Sequence, residues 1–168
     1  MIVIGIDPGI ANTGFGVVDK NQNSKSKNKI KCLGYGLIET ASCLPTTERL
    51  KKINNDLNKV INKYNPEVLA IENVYFFKNL KTAMPVSQAK GVIMFTAAKK
   101  RIPVYEFTPL QVKMAITGYG KAEKKQIQKM VKILLDLKEI PKPDDVADAI
   151  AIAMAYCFVN PSFPVQAV

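Results

Sequence analysis

The order of the apolar segments constrains the fold of this chain more than any other feature of its sequence. Three strand-length apolar runs, at residues 2–6, 14–18 and 30–39, follow one another at the N-terminal end. Such runs, separated by turn residues and short connections, predict an antiparallel meander of β-strands. Helical patterns then alternate with short apolar runs, which is typical of parallel strands added through helical crossovers. The sequence therefore predicts an α/β fold with a mixed sheet flanked by helices.

The remainder of the chain supplies two more strands and the helices. The further strands are predicted at residues 68–71 and 104–107, which brings the sheet to five strands. Thr46 or Thr47 would cap the first helix. Pro85 would stand in the first turn of the second helix, where proline is tolerated best. The predicted helices span residues 46–64, 85–100, 110–116, 122–137 and 144–158.

One folded domain is expected over residues 1–158, followed by a C-terminal tail over residues 159–168. A length of 168 residues, of which 48% are hydrophobic, fits one domain with a sizeable core. No apolar stretch reaches the length of a membrane span, and the N-terminus MIVIGIDPG lacks the basic segment and cleavage site of a signal peptide. We therefore expect a cytoplasmic protein without a membrane association.

The charged residues favour a polyanionic partner and exclude several kinds of catalysis. Lys and Arg number 24 against 14 Asp and Glu, and the formal net charge is +10. This excess favours nucleic acid, although a lysine-rich composition would give the same charge. Because the chain has no His, catalysis by Ser-His-Asp or Cys-His and zinc sites built on histidine are excluded. The lysine-rich segment 20–31 is either a loop between strands or a basic arm that contacts DNA phosphates.

Two carboxylates stand where predicted strands end. Asp7 and Glu72 each directly follow an apolar, strand-like run. Clefts commonly open at the strand ends of an α/β sheet, so neighbouring strands would bring the two side chains to one edge. Each residue also has a simpler explanation, because Asp7 would suit the Pro8-Gly9 turn and Glu72 would suit a solvent-facing strand end.

A second pair of carboxylates lies in the last predicted helix, within PDDVADAIAIAMAYC. Asp145 and Asp148 are three residues apart and share a helix face. The helix is otherwise apolar nearly all round, which indicates burial. Asp144 would suit an N-cap and Asp145 the positive end of the helix dipole. Asp148 lies further in and no Lys or Arg follows it in the chain, so a metal ion would offset the cost of burying its charge.

Four carboxylates in a chain without histidine are compatible with a metal-dependent phosphodiesterase. Carboxylate oxygens prefer hard cations such as Mg²⁺ or Mn²⁺. Two such ions about 3.5–4 Å apart would clamp the attacking and leaving oxygens of a phosphodiester. The turn, strand-end and helix-start explanations of these carboxylates stay open beside it.

Several motifs resemble those of RuvC-type Holliday junction resolvases, in order and over most of the chain. GIDPGIANTGFGVV resembles the opening motif, and IENVYFFKN surrounds the second carboxylate. The segments SQAKGV, TPLQVKMAITGYGKAEKKQIQ and PDDVADAIAIA follow. The resemblance implies a ribonuclease H-like fold, with a mixed five-stranded sheet made of an antiparallel meander plus parallel strands. It also implies an endonuclease that resolves four-way DNA junctions in recombination and repair.

The resemblance further implies roles for individual residues. The metal-binding catalytic set would bind two Mg²⁺ ions, with Mn²⁺ as a substitute, and comprises Asp7, Glu72, Asp145 and Asp148. Lys113 and Lys124 would hold phosphates near the cleaved strand or offset charge in the transition state. Tyr75 would stack on bases near the crossover. The alternatives are solvated side chains for the two lysines, and loop packing beside Phe76 and Phe77 for Tyr75.

The resemblance implies a homodimer that nicks two strands of a junction, with branch-migration proteins as further partners. The predicted helix at residues 85–100 mixes small and apolar residues and is a candidate for part of the dimer interface. Two other functions stay open. One is a junction-binding module without turnover, and the other is a ribonuclease H-like nuclease for other branched DNA or for hybrids that contain RNA.

Overall fold

The computed structural model describes residues 1–20, 30–73 and 80–158 of the chain. Within them, a five-stranded sheet has the order β3-β2-β1-β4-β5. The strands are β1 (Ile2–Asp7), β2 (Asn12–Lys20), β3 (Ile30–Glu39), β4 (Val68–Glu72) and β5 (Val104–Phe107). Strands β1 to β3 are antiparallel, β4 pairs parallel with β1, and β5 pairs parallel with β4. This arrangement confirms the predicted mixed sheet.

Helices cover both faces of the sheet. They are α1 (Thr46–Tyr64), α2 (Leu80–Lys99), α3 (Pro109–Thr117), α4 (Lys124–Leu134) and α5 (Asp144–Phe158). Helix α5 packs on β1 and β2 with α3 and α4 beside it, and we call this side the α5 face. Helices α1 and α2 cover the opposite side, the α1–α2 face, over a second apolar cluster that includes Leu57 and Ile93.

At three glycines, helix α5 lies so close to the sheet that no side chain would fit between its backbone and the strand. A methyl group on Gly5 of β1 would lie 2.5 Å from the amide nitrogen of Ala153. A methyl group on Gly14 of β2 would lie 2.6 Å from the carbonyl carbon of Asp145. One on Gly16 would meet the Cα of Ile150 at 2.7 Å. These distances are too short for any Cβ atom, so direct backbone contact sets the distance between α5 and the sheet.

The starts of α1 and α2 differ from the prediction at a proline. The N-cap of α1 is Pro45 rather than Thr46 or Thr47, and no side chain caps the helix. Pro45 has φ −55° and ψ 147°, an extended conformation that its ring favours, so both threonines are already helical. Helix α2 begins at Leu80, which places Pro85 inside the helix instead of in its first turn. An interior proline removes one backbone hydrogen bond, and here the helix continues through it.

Helix α4 ends at Leu134, earlier than the predicted end at Leu137. Asp136 adopts a left-handed φ of 51°, and the amide of Leu137 donates to the carbonyl of Lys132 at 2.9 Å. This tight turn ends the helix. Apolar residues continue at helical spacing beyond the helix end, because Leu135 and Leu137 still pack against the α5-face cluster.

Some predicted features lie outside the described residues. These are the C-terminal tail at 159–168 and residues 21–29 of the lysine-rich segment. Lys20 ends β2 and Ile30 begins β3, so the two ends of that segment are strand rather than loop. Over the described ranges, no helix has both the length and the apolar character needed to cross a membrane.

Candidate active site

Asp7 and Glu72 emerge at the same edge of the sheet. Asp7 is the last residue of β1, and Glu72 is the last residue of β4. The two strands are parallel neighbours, and Ile6 pairs with Ile71 directly before the carboxylates. The structure therefore brings together the two acidic residues that the sequence placed at strand ends.

The start of α5 brings the second pair of carboxylates to this edge. Asp7 pairs across the sheet with Gly14, and Gly14 in turn touches the backbone of Asp145. This contact fixes the first turn of α5 beside the end of β1. Asp148 follows almost one turn later, and its side chain is 29% exposed.

Asp148 has a cationic partner that the sequence did not reveal. The Nζ atom of Lys124 lies 2.8 Å from Oδ2 of Asp148 and 3.3 Å from Oδ2 of Asp144. Asp144, which is the first residue of α5, also accepts a hydrogen bond from Nε2 of Gln128 at 2.9 Å. No Lys or Arg follows Asp148 in the chain, but α4 packs against α5 and supplies a lysine from earlier in the chain.

The carboxylates act on one another electrostatically. Burial is the largest cause that raises the pKa of Asp7 from 3.8 to about 8. The next causes are the negative charges of the other three carboxylates, whereas Lys124 lowers the pKa. Burial also raises the pKa values of Glu72 and Asp148, and Lys124 opposes both shifts. The charges that raise the pKa of Asp7 lie close to it, and an added cation would stabilise the ionised carboxylates.

A cleft of about 270 Å³ opens at this edge of the sheet. Glu72 and Asp148 line it together with Lys113 and Lys124. Its apolar lining consists of Pro109, Val112, Ile127, Ala151 and Ile152. A few charged groups converging in an apolar cleft are typical of an active site. The two predicted lysines therefore lie in the same cleft as two of the predicted carboxylates, and the remaining predicted residue, Tyr75, lies outside the described residues.

The donor chemistry of this site fits a hard divalent cation, because it consists of carboxylate oxygens without histidine or thiolate. Among the residues that the structure describes, no three acidic or cysteine side chains are already arranged to hold an ion together. Lys124 also engages one oxygen of Asp148. Binding of an ion therefore requires side-chain adjustment among the carboxylates and at Lys124.

Sequence reasoning missed Gln128 and the contacts of Asp144. Lys124 and Gln128 are four residues apart and share one face of α4, from which both reach Asp144. Their hydrogen bonds, that of Gln128 first, lower the pKa of Asp144. The spacing on α4 was a usable signal, but only the packing of α4 on α5 identifies the shared partner.

The sheet order, with an acidic helix start beside the ends of two parallel strands, defines a ribonuclease H-like protein. A family model described as crossover junction endodeoxyribonuclease RuvC matches residues 3–156. The chain belongs to the RuvC family of crossover junction endodeoxyribonucleases.

Individual relatives are similar over nearly the whole chain. The RuvC of Halothermothrix orenii is 49% identical over 93% of this chain and 92% of its own length. That of Caldicellulosiruptor saccharolyticus is 51% identical over 96% and 95%, respectively. The structure of T. thermophilus RuvC in complex with a Holliday junction substrate matches with a TM-score of 0.86 at 37% identity, and covers 94% of this chain and 93% of that one. These findings confirm the predicted family and its fold.

Proposed function

We propose that this chain resolves four-way DNA junctions by metal-dependent hydrolysis of two strands, in recombination and repair. The observation that carries the proposal is the convergence of four carboxylates from β1, β4 and α5 at one edge of the sheet, where the other three raise the pKa of Asp7. Two lysines line a cleft together with two of these carboxylates, Glu72 and Asp148, and the net charge of +10 suits a DNA partner. Further support comes from the similar T. thermophilus protein, whose structure contains a Holliday junction substrate.

The proposed ligands of two Mg²⁺ ions, or of Mn²⁺ in their place, are Asp7, Glu72, Asp145 and Asp148. When bound, such ions lower the pKa of coordinated water and stabilise the oxygens of the phosphodiester. Burial favours the protonated form of Asp7, whose pKa of about 8 lies above neutral pH. Asp7 therefore releases its proton when it becomes a ligand, which makes metal affinity rise with pH.

Lys113 and Lys124 are proposed to hold phosphate oxygens of the cleaved strand. Both residues line the cleft. Asp144 gives Lys124 a second anchor besides Asp148, so that Lys124 stays at the cleft when Asp148 serves as a metal ligand. The proposed contact of Tyr75 with bases near the crossover rests on the family resemblance alone.

We propose that the chain acts as a homodimer through the outer face of α2. An exposed strip at helical spacing consists of Met84, Gln88, Gly91, Phe95 and Ala98. Met84 is 70% exposed and Phe95 is 61% exposed, while Gly91 between them permits close helix packing. A two-fold axis would present two clefts to two strands of a junction.

Residues 1–158 form the proposed catalytic unit. It is proposed to act in the cytoplasm, with branch-migration proteins as further partners.

The test compares a synthetic mobile four-way junction with linear duplexes of the same arms, in Mg²⁺ and in chelator. Wild type is expected to place paired nicks in the junction, only when the metal is present. Asp148→Asn is expected to lose about 10³-fold in cleavage rate, because one metal ligand contributes several kcal/mol to the transition state. Asp56→Asn, which changes a carboxylate on the outer surface of α1, serves as the matched control.

The other outcomes identify the alternatives. Tight junction binding without cutting in either Mg²⁺ or Mn²⁺ would show a binding module. Equal cutting of linear duplexes, or faster cutting of an RNA–DNA hybrid, would show a nuclease without junction selectivity. Unchanged cleavage by Asp148→Asn would remove this residue from the proposed site.

A further inference from the structure

A half-buried ion pair ties α2 to the strand ends beside Glu72. The Nζ atom of Lys90 lies 2.8 Å from Oε2 of Glu106 in β5, and the two side chains are only 15% and 16% exposed. The same ammonium group lies 3.5 Å from Oδ1 of Asn73, the residue after Glu72. The proposed chemistry of the cleft uses none of these three residues.

The strand register shows why this contact bears on Glu72. Glu106 pairs with Ile71, and Phe107 pairs with Glu72. The amide of Asn73 donates to the carbonyl of Phe107 at 2.7 Å. Because side chains alternate along a strand, Glu72 points to the α5 face while its neighbour Asn73 points to the α1–α2 face. Lys90 therefore holds, from behind the sheet, the ends of the two strands from which Glu72 reaches the cleft.

The ion pair between Lys90 and Glu106 is not an effective way to stabilise the fold. Removing two charges from water costs about as much as their attraction returns, and apolar replacements of similar volume are often equally stable. On the same helix, Ala89 and Ile93 fill the space against the sheet with apolar groups. Unlike these apolar contacts, the contact of Lys90 is directional. Its hydrogen bonds fix the positions of the Glu106 and Asn73 side chains.

We propose that Lys90 is a positioning residue for Glu72, acting through Asn73 and Glu106 without touching the substrate. Without its ammonium group, the end of β4 keeps its backbone hydrogen bonds but loses its side-chain anchor behind the sheet. Glu72 would then sample more orientations, and the carboxylates would close less readily around an ion. The inference rests on the proposed metal-dependent function of the cleft.

The main test variant is Lys90→Met combined with Glu106→Gln, which removes both charges and leaves neither one unpaired. Binding of Mn²⁺ to the DNA-free protein is measured by calorimetry, and kcat and KM are measured for junction cleavage. Mn²⁺ affinity and kcat are expected to fall by about 10–100-fold, which is the usual effect of losing a group that orients a metal ligand, with KM nearly unchanged. Lys90→Arg keeps the charge and the donors and should restore most of both.

Thr96→Val is the matched control on the same helix. Thr96 is 1% exposed and donates to Oδ1 of Asn54 on α1 at 2.9 Å, so its loss weakens α2 without touching β4 or β5. The inference is overturned if the Lys90 variant and Thr96→Val lower the thermal midpoint alike while both keep wild-type Mn²⁺ affinity and kcat. If wild type binds Mn²⁺ but cuts no junction, the proposed function fails, whereas weaker Mn²⁺ binding by the Lys90 variant would still support the positioning role.

Discussion

The two faces of the sheet hold their helices by different means. On the α5 face, glycines of β1 and β2 let the backbone of α5 touch the strands directly, and the carboxylates stand at the edge of this contact. On the α1–α2 face, bulky side chains such as Leu57 and Ile93 fill the space between helix and strand. One face is therefore held at backbone contact distance, and the other by interlocking side chains.

This difference separates stability from the geometry of the site. Side-chain packing tolerates exchanges that preserve volume, because neighbouring groups can repack. Backbone contact leaves no such freedom, so a change there moves the whole of α5 and the carboxylates on it. Substitutions of similar cost to stability should thus affect cleavage very differently on the two faces.

The largest effect is expected at the edge of the α5 face, from Asp7→Asn. Losing this proposed metal ligand should lower the cleavage rate by about 10³-fold, because it removes several kcal/mol of transition-state stabilisation. Junction binding in chelator should be retained, as measured by gel shift. A variant that cuts normally would remove Asp7 from the proposed site.

The same variant should gain stability in the absence of metal. The pKa of Asp7 is about 8 in the folded protein and 3.8 as its ordinary value, so the folded state retains a proton that the unfolded chain releases between these limits. The resulting stability is fully present below about pH 4 and is lost as the pH rises through about 8. Relative to wild type, Asp7→Asn should become more stable over this window by on the order of several kcal/mol. Urea unfolding in chelator measures the free energy of unfolding at each pH. The same pH dependence for wild type and Asp7→Asn would contradict this prediction.

The exposed strip of α2, which is the proposed dimer interface, is tested by Phe95→Asp. A charge at this exposed aromatic residue should weaken the proposed dimer by about 10²-fold, the effect of losing an interface hot spot. Sedimentation measures the dimer, and the two nicks of one junction should become independent events. Ile133→Asp is the matched control, because Ile133 is 66% exposed on α4. Equal effects of the two variants would exclude α2 as the specific interface.

A direct comparison of the faces pairs Gly14→Ala with Leu57→Ala. Gly14→Ala should lower cleavage per folded molecule by about 10–100-fold, because a misplacement of about 1 Å in a site has this effect. Leu57→Ala should cost about 2–5 kcal/mol of stability and leave cleavage per folded molecule nearly unchanged. Unfolding curves and single-turnover rates measure the two quantities. The contrast between the faces would be wrong if both variants lost activity only in proportion to their stability.

The smallest effect is expected from Lys113→Met in the cleft. Loss of one phosphate contact should reduce the slope of log binding constant against log salt by about 0.9, with a modest loss of affinity. Junction binding in chelator at several salt concentrations measures this slope. Lys99→Met, on α2, should leave the slope unchanged. A slope that stays at the wild-type value in Lys113→Met would show that Lys113 does not contact phosphate.

The sheet and the position of the site were predictable because local patterns carry them. Alternating strand and helix periods specify the order of the elements, and Asp7 and Glu72 stand at strand ends that the topology brings together. The apolar character of α5 likewise indicated its burial before its partners were known. The roles of the four carboxylates in metal binding stay predictions, which the Asp7 and Asp148 variants test.

Contacts between distant segments were not predictable in the same way. The pairs Lys124–Asp148 and Lys90–Glu106 depend on how helices lie against their neighbours, which no local pattern records. Helix ends were also missed where a proline or a left-handed residue decides them, as at Pro45 and Asp136. In each case a three-dimensional distance or a single backbone angle decides the structure, and spacing along the chain records neither.

The close contact of α5 with the sheet also affects which mutations of the gene reduce activity. More codons are sensitive to a single change than the catalytic residues alone, and we expect those of Gly5, Gly14 and Gly16 to be among them. A random screen for reduced activity should recover these glycines beside the acidic residues, although glycine has no side chain to lose. Natural replacements of these glycines should occur only together with other substitutions that shift the helix. A single nucleotide change cannot supply both.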